Sequence, residues 1–221
     1  MIEFLLKGLI RDKSRSSLPV IVVTIGVMLT VLMHAYIKGF MGDTVELNAR
    51  FSNGHVKVTT YDYAENPGQN ANDLALTGSE ALLLDLRTRF PGTEWAQRIQ
   101  FGGLADVPDS NGETKAQGPV MGIGLDLLSP GTVEPGRLNL LKSIVRGNLP
   151  DTPGEILLSE DFSVKLGTSP GDTITFIGAT VNGSMSFYNF IISGTVSFGN
   201  EILDRGALIA DIGDVRQVLD L

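Results

Sequence analysis

Between Leu18 and Ile37 the chain reads LPVIVVTIGVMLTVLMHAYI, twenty residues in which His34 is the only ionisable side chain apart from Tyr36. At about 1.5 Å per residue a helix of that length spans roughly 30 Å, the thickness of a bilayer's hydrocarbon core. A cleaved signal peptide has an apolar stretch of roughly 7 to 15 residues and a small-x-small exit. Here the exit reads Tyr36-Ile37-Lys38-Gly39-Phe40-Met41. The pattern therefore predicts a retained transmembrane helix over 18–38. Ahead of it, Ile2, Leu5, Leu6 and Leu9 recur at helical spacing between Glu3, Lys7 and Arg11, which predicts an amphipathic surface helix over 1–17. Pro19 is expected in the first turn of the span, where a helix tolerates it. His34 stands a turn from the far end, a position that suits packing or the interface rather than a mid-membrane function.

Beyond a linker containing Gly39 and Gly42 the periodicity shortens to two. His55-Val56-Lys57-Val58-Thr59 alternates like a half-buried strand after the turn signal Asn53-Gly54. Residues 62–78, rich in Asn, Gly and acidic groups, read as a surface loop. Thr77 and Glu80 form a capping box before ALLLDLRTRF, and Pro91-Gly92 stops that helix. A strand region over about 94–107 would complete a β-α-β unit. After loop 108–113 the run AQGPVMGIGLD suits a packed strand whose three glycines mark bends or close backbone approach.

The most ordered grammar lies in PGEILLSEDFSVKLGTSPGDTITFIG. Glu155–Leu158 reads as a strand, Ser159 as the cap of a short helix with Glu160 and Asp161 in its first turn, and Gly167 as its terminator. Ser169-Pro170-Gly171-Asp172 then turns into the strand TITFI. Further strands are expected over 187–198, bent at Gly194, and over 206–210. Asp211 should cap a helix that carries Val215, Val218 and Leu219 on one face. The absence of a cap after that apolar face gives the expectation of a chain cut from a longer one.

Charge adds direction to this pattern. The first 17 residues carry Lys7, Arg11, Lys13 and Arg15 against Glu3 and Asp12, so the net charge of -8 leaves -10 for the remainder. By the positive-inside rule the N-terminus faces the cytoplasm and the residues beyond about 40 lie outside it. So acidic a remainder, with no basic stripe interleaved with aromatics, argues against nucleic acid as a partner.

The chemistry of the chain is narrowed by what it lacks. With no cysteine and two histidines, His34 and His55, it offers no thiolate or histidine-cluster metal site. It contains neither a G-x-S-x-G elbow nor a GxxxxGK[ST] loop, and Gly122 and Gly124 lack the spacing of a dinucleotide loop. The acidic pair Glu160-Asp161 is accounted for by the helix dipole. No catalytic, cofactor-binding or metal-binding residue is assigned, no cofactor is expected, and no enzyme activity is expected of this chain. If a hydrophobic groove exists, the MGIGLDLL run at 121–128 is its expected lining. A role for His55 beyond starting a strand is not required.

Four segments carry a resemblance: RSSLPVIVVTIGV entering the membrane, NGHVKV at 53–58, RGNLPDTPGEILLSEDFSVKLGTSPGDTITF at 146–176, and the closing ISGTVSFGNEILDRGALIADIGDVRQVLDL. Together they resemble the N-terminal half of permease subunits of the MacB/FtsX/LolC-LolE type of ABC transporter. The third segment is the most specific. The resemblance implies an α+β chain in which one transmembrane helix precedes a periplasmic mixed α/β, porter-like part over 50–124 and 200–221. A β-rich, sabre-like part is inserted over 125–199. It also implies three later spans that this sequence does not contain.

Function by resemblance is mechanotransmission, in which a separate ABC ATPase closes on ATP and the span relays the motion outward. Lacking a fused ATPase, the chain departs from MacB and sits nearer the lipoprotein-releasing permeases, whose Gly-His-Val strand matches Gly54-His55-Val56. The implied partners are the ATPase, a second permease subunit, a periplasmic carrier or adaptor, and membrane lipid. The cargo would be lipoprotein, lipid or another hydrophobic compound. The alternative is an FtsX-like scaffold in the bacterial inner membrane that activates a periplasmic cell-wall hydrolase without transport.

Overall fold

The computed structural model describes residues 13–66, 68–109 and 111–221. It is α+β: an N-terminal apolar helix and a β-rich domain, which separate into a helical unit ending at Lys57 and a sheet unit Val58–Leu221.

The first unit is built on α1 (Lys13–Asn48), followed by a single π-helical turn, Ala49–Asn53. The expected amphipathic helix over 1–17 lies, for residues 1–12, outside the described residues, and Lys13–Ser17 already belong to α1. Pro19 is thus in the helix interior and not in its first turn. It withholds one N–H from the ladder without ending the helix. Gly39 and Gly42 do not form a linker either. Each costs about 1 kcal/mol relative to alanine, but once a long helix is nucleated every further residue gains a hydrogen bond.

In the sheet unit α2 (Tyr61–Glu65) is capped by the Thr60 hydroxyl, which accepts from the Tyr63 N–H at 3.1 Å. Next come a 3₁₀ turn, Asn72–Leu74, and α3 (Ser79–Arg89). The region expected as loop 62–78 thus holds two short helical turns. The capping box expected at Thr77 is not made, because left-handed Gly78 occupies the N-cap of α3 and no side chain caps it.

Strands β1 (Ile99–Pro108) and β2 (Thr114–Leu125) form an antiparallel hairpin. After them come α4 (Glu134–Arg137), α5 (Leu140–Ser143), β3 (Ile144–Gly147), β4 (Glu155–Ser159) and α6 (Glu160–Leu166). The chain closes with β5 (Thr173–Ala179), β6 (Met185–Val196), α7 (Glu201–Asp204), β7 (Ala207–Asp211) and α8 (Ile212–Leu219). The β-α-β unit expected around α3 does not form. Residues 55–59 are irregular, and Val56 and Val58 remain 65% and 42% exposed, because alternation specifies a strand only where a ladder partner exists.

Among the described residues one sheet of seven strands runs β3-β6-β4-β7-β2-β1-β5. The long β6 pairs with β4 through Ile191–Val196 and with β5 through Met185–Ile191, so the sheet returns on itself as a closed ring of six strands. The bend expected at Gly194 is a bulge: Ile156 faces Ile192 and Leu157 faces Gly194, leaving Ser193 out of register. A Cβ on Gly194 would stand 2.5 Å from the Asn148 carbonyl oxygen, so glycine is required there.

The ring encloses an apolar core of Phe101, Phe176, Phe190, Ile156 and Leu208, closed by Phe162 of α6 and Val215 and Val218 of α8. Phe101 and Phe176 meet edge to face with centroids 5.3 Å apart. Each such aromatic contributes roughly 1.5–3 kcal/mol by burial. Leu157 and Ile209, cross-strand partners of the opposite parity, are equally buried, so this part of the sheet is covered on both faces.

Candidate functional site: the apolar helix and the buried charges

Among the described residues one helix is long and apolar enough to cross a membrane, Ser17–Gly42, with a mean hydropathy of 2.3 and none of its most apolar stretch buried. Its side chains are exposed all round the axis, from Leu18 at 70% to Met41 at 55%. A helix apolar on every face needs an apolar surrounding rather than a single core. Inside it the Thr30 hydroxyl donates to the Gly26 carbonyl at 2.8 Å, so this polar group is satisfied within the helix. Near the far end Tyr36 and Phe40, about one turn apart with Lys38 between them in the chain, stack with centroids 6.4 Å apart.

In the sheet unit the polar interior is structural. Glu134 is 2% exposed and takes two guanidiniums, Arg98 at 2.8 Å and Arg137 at 3.0 Å. Arg137 extends the cluster to exposed Glu94. This ties α4 to the chain entering β1. Asp204 accepts from the Phe198 N–H at 2.8 Å and the Asn200 N–H at 3.1 Å, folding the β6–α7 turn around its carboxylate. Asp211 caps α8 as expected, through the Gly213 N–H at 2.8 Å. Its other oxygen accepts from Leu127 at 3.0 Å and Leu128 at 3.2 Å, pinning the chain that leaves β2.

The acidic pair at the start of α6 has the predicted place but a different partner set. Ser159 stands at the N-cap, yet its hydroxyl is buried without a hydrogen bond and does not cap the helix. Glu160 instead accepts from Arg146 of β3 at 3.0 Å. Burial pushes the Glu160 carboxyl up, but the hydrogen bond and charge of the Arg146 guanidinium help to outweigh it and hold it below its ordinary range. Arg146 also donates to Ser163 and Ser169, each at 3.2 Å.

Asp214, which the sequence did not single out, is 5% exposed in the first turn of α8 and accepts from the Gly154 N–H at 2.8 Å. Burial raises its carboxyl. The Gly154 N–H offsets part of this, and the neighbouring Asp211 charge adds to it. Burial, with the Asp214 charge beside it, raises the Tyr188 phenol as well. A polar residue at the third position of a capped helix was the legible signal for Asp214. Glu134 left only half of one, since Arg137 stands three residues on but Arg98 lies 36 residues back along the chain.

The groove lining expected from residues 121–128 is not there. Ile123, Leu125 and Leu127 are buried in the protein and Met121 alone of the apolar side chains is half exposed. Gly122 and Gly124 lie within β2 and open no helix. His55 is exposed in the irregular segment and His34 is exposed on α1, so the structure does not bring them to a common site. Among the described residues no group of three or more His, Cys, Asp or Glu side chains is placed to hold a metal.

No protein-family model matches the chain, and no curated protein matches it.

Proposed function

We propose that this chain is the N-terminal part of a permease subunit of an ABC transporter of the MacB/FtsX/LolC-LolE type. It sits in the bacterial inner membrane with its N-terminus in the cytoplasm and its sheet domain in the periplasm. The observation that carries the reading is the fully exposed apolar helix Ser17–Gly42 standing directly before an α+β domain, with the basic residues on its N-terminal side. A continuous helix from Lys13 to Asn48 suits the transmission of motion, since one element runs the whole length of the apolar stretch, with Pro19 near its start. ATP hydrolysis belongs to a partner ATPase, and the cargo is a lipoprotein, lipid or other hydrophobic compound. The porter-like part is then 50–124 with 200–221 and the sabre-like part 125–199, two parts that share one sheet, since β4, β5 and β6 interleave with β1, β2 and β7.

The test is co-purification of the full-length gene product from its native membrane, with an ATPase assay on what it retains. Recovery of a P-loop ATPase whose turnover rises with the permease present supports the reading. A correctly inserted protein that retains no ATPase overturns it in favour of a free-standing anchored binding module.

A further inference from the structure

From Gly26 onward every fourth residue of α1 up to Gly42 is glycine or polar: Gly26, Thr30, His34, Lys38 and Gly42. At about 1.5 Å per residue this row is roughly 24 Å long. The rows on either side of it are apolar and unlike in size. One holds Ile25, Leu29, Met33, Ile37 and Met41, the other Val27, Val31, Ala35 and Gly39. Glycine inside a helix costs about 1 kcal/mol relative to alanine, and nothing among the described residues uses the space it leaves. Beyond the helix's own backbone, a Cβ on Gly26, Gly39 or Gly42 would meet no atom within 4 Å. Thr30 turns its hydroxyl onto the Gly26 carbonyl, within the row. His34 and Lys38 are exposed and have no hydrogen bond or ion pair with any described residue. No acidic residue occurs between Asp12 and Asp43 that could supply one.

We infer that this row seats a second transmembrane helix that carries an aspartate or glutamate opposite His34 and Lys38. Rows spaced by four residues are the ridges by which helices interlock. In a bilayer, where no hydrophobic force draws helices together, small residues in such a row let the backbones approach. Charge complementarity at the row itself selects the partner. Ionisable side chains within a span are held by partners, and the two that this row presents are both basic. A second copy inserted the same way brings the same two basic side chains to the same depth and no acid. A lipid phosphate meets Lys38, whose long stem reaches the membrane surface, but His34 stands about 6 Å deeper on a shorter side chain. Nor does an acyl chain need the glycines. The inference rests on α1 spanning a membrane, as proposed above, and on nothing about the ATPase or the cargo.

The experiment uses the full chain in phosphatidylcholine vesicles, with its insertion checked first by resistance to alkaline carbonate. A chain that carbonate strips off overturns the span and the pairing together, whereas an inserted chain tests the pairing alone. The probe is a leucine–alanine transmembrane peptide with one glutamate at the depth of His34, and its glutamine, leucine and lysine versions are the controls. Energy transfer from a donor on Ser14→Cys to an acceptor at the matching end of the peptide reads association. The expected result is transfer to the glutamate peptide that His34→Leu with Lys38→Gln weakens by about tenfold, the size of one interhelical polar contact in model peptides. Gly26→Ile should weaken it as well. The decisive variant combines Met33→His, His34→Met, Ile37→Lys and Lys38→Ile. It keeps the composition and nearly the depth but turns the basic pair about 100° from the glycine row. It should bind the glutamate peptide as weakly as the neutral variant. Equal transfer to the leucine peptide, or full binding by the exchanged variant, overturns the inference. So does transfer between labelled copies without peptide that Gly26→Ile abolishes, which assigns the row to a second copy. Loss of the glutamate preference when phosphatidylglycerol is added assigns the basic pair to lipid and overturns it too.

Discussion

The carboxylates of the sheet unit divide by what their environment does to the charge. Glu134 is surrounded by cations, and removing it takes from Arg98 and Arg137, both mostly buried, the buried anion they share, while Arg137 keeps exposed Glu94. Stranding buried charge costs more than the pair contributes. Glu134→Ala should therefore destabilise the domain by about 3 kcal/mol. Urea unfolding followed through Trp95, the only tryptophan and next to Glu94 in the chain, reads that loss directly. Asp214 is the opposite case, because burial raises its carboxyl above the ordinary 3.8. In the window between 3.8 and that raised value the folded state holds a proton that the unfolded chain has released. The contribution of Asp214 to stability is thus fully present below 3.8 and is lost as pH rises through the folded pKa. Asp214→Asn, which keeps an acceptor for the Gly154 N–H, should be at least as stable as wild type at neutral pH. Its advantage should shrink on acidification and vanish below 3.8. Melting curves of the two proteins across pH 3 to 7 give the sign, and an advantage that grows on acidification would refute the assignment.

At the scale of elements, the glycines of β2 show how tightly the strands approach the core. A Cβ on Gly122 would enter the ring of Phe101. Gly122→Ala should cost about 1–3 kcal/mol by overpacking. Because the clash is with one side chain, Phe101→Leu in the same molecule should recover part of the loss, so that the double variant melts above the sum of the two singles. Additive losses would place the strain in the backbone instead.

The elements that sequence made legible are those whose boundaries are written locally. The β4–α6–β5 run has its strand, dipole-matched acidic pair, left-handed Gly167 and Ser169–Asp172 turn in order, and all fall where expected. The β7–α8 corner does the same through Asp211. What failed was decided by distant partners. His55–Thr59 has the alternation of a strand but no ladder. The Ser159 hydroxyl sits at a cap but is drawn into the packed interior. The ring closure by β6, which pairs with both β4 and β5, left no local signal at all, since β6 reads as one strand whichever neighbours it takes.

For the whole molecule the deciding question is where each end of α1 lies. The helix Ser17–Gly42 has the length and hydropathy to cross a bilayer, but a bilayer does not care which end is inside, and only flanking charge breaks that symmetry. The four basic residues before the span outweigh Glu3 and Asp12, while Lys38, Asp43, Glu46 and Arg50 after it cancel. The N-terminus should thus stay on the cytoplasmic side. The native chain contains no cysteine, so single cysteines report without background. We expect a membrane-impermeant maleimide to label Asn182→Cys, in an exposed turn of the sheet unit, in spheroplasts, and to label Ser14→Cys only after lysis. Changing Lys7, Arg11, Lys13 and Arg15 to glutamine removes the asymmetry and should mix the two patterns. Labelling of Ser14→Cys in intact spheroplasts would invert the topology, place the sheet domain beside the cytoplasmic machinery, and end the permease reading. A mature protein lacking residues 1–42 would do the same, because a cleaved helix transmits nothing.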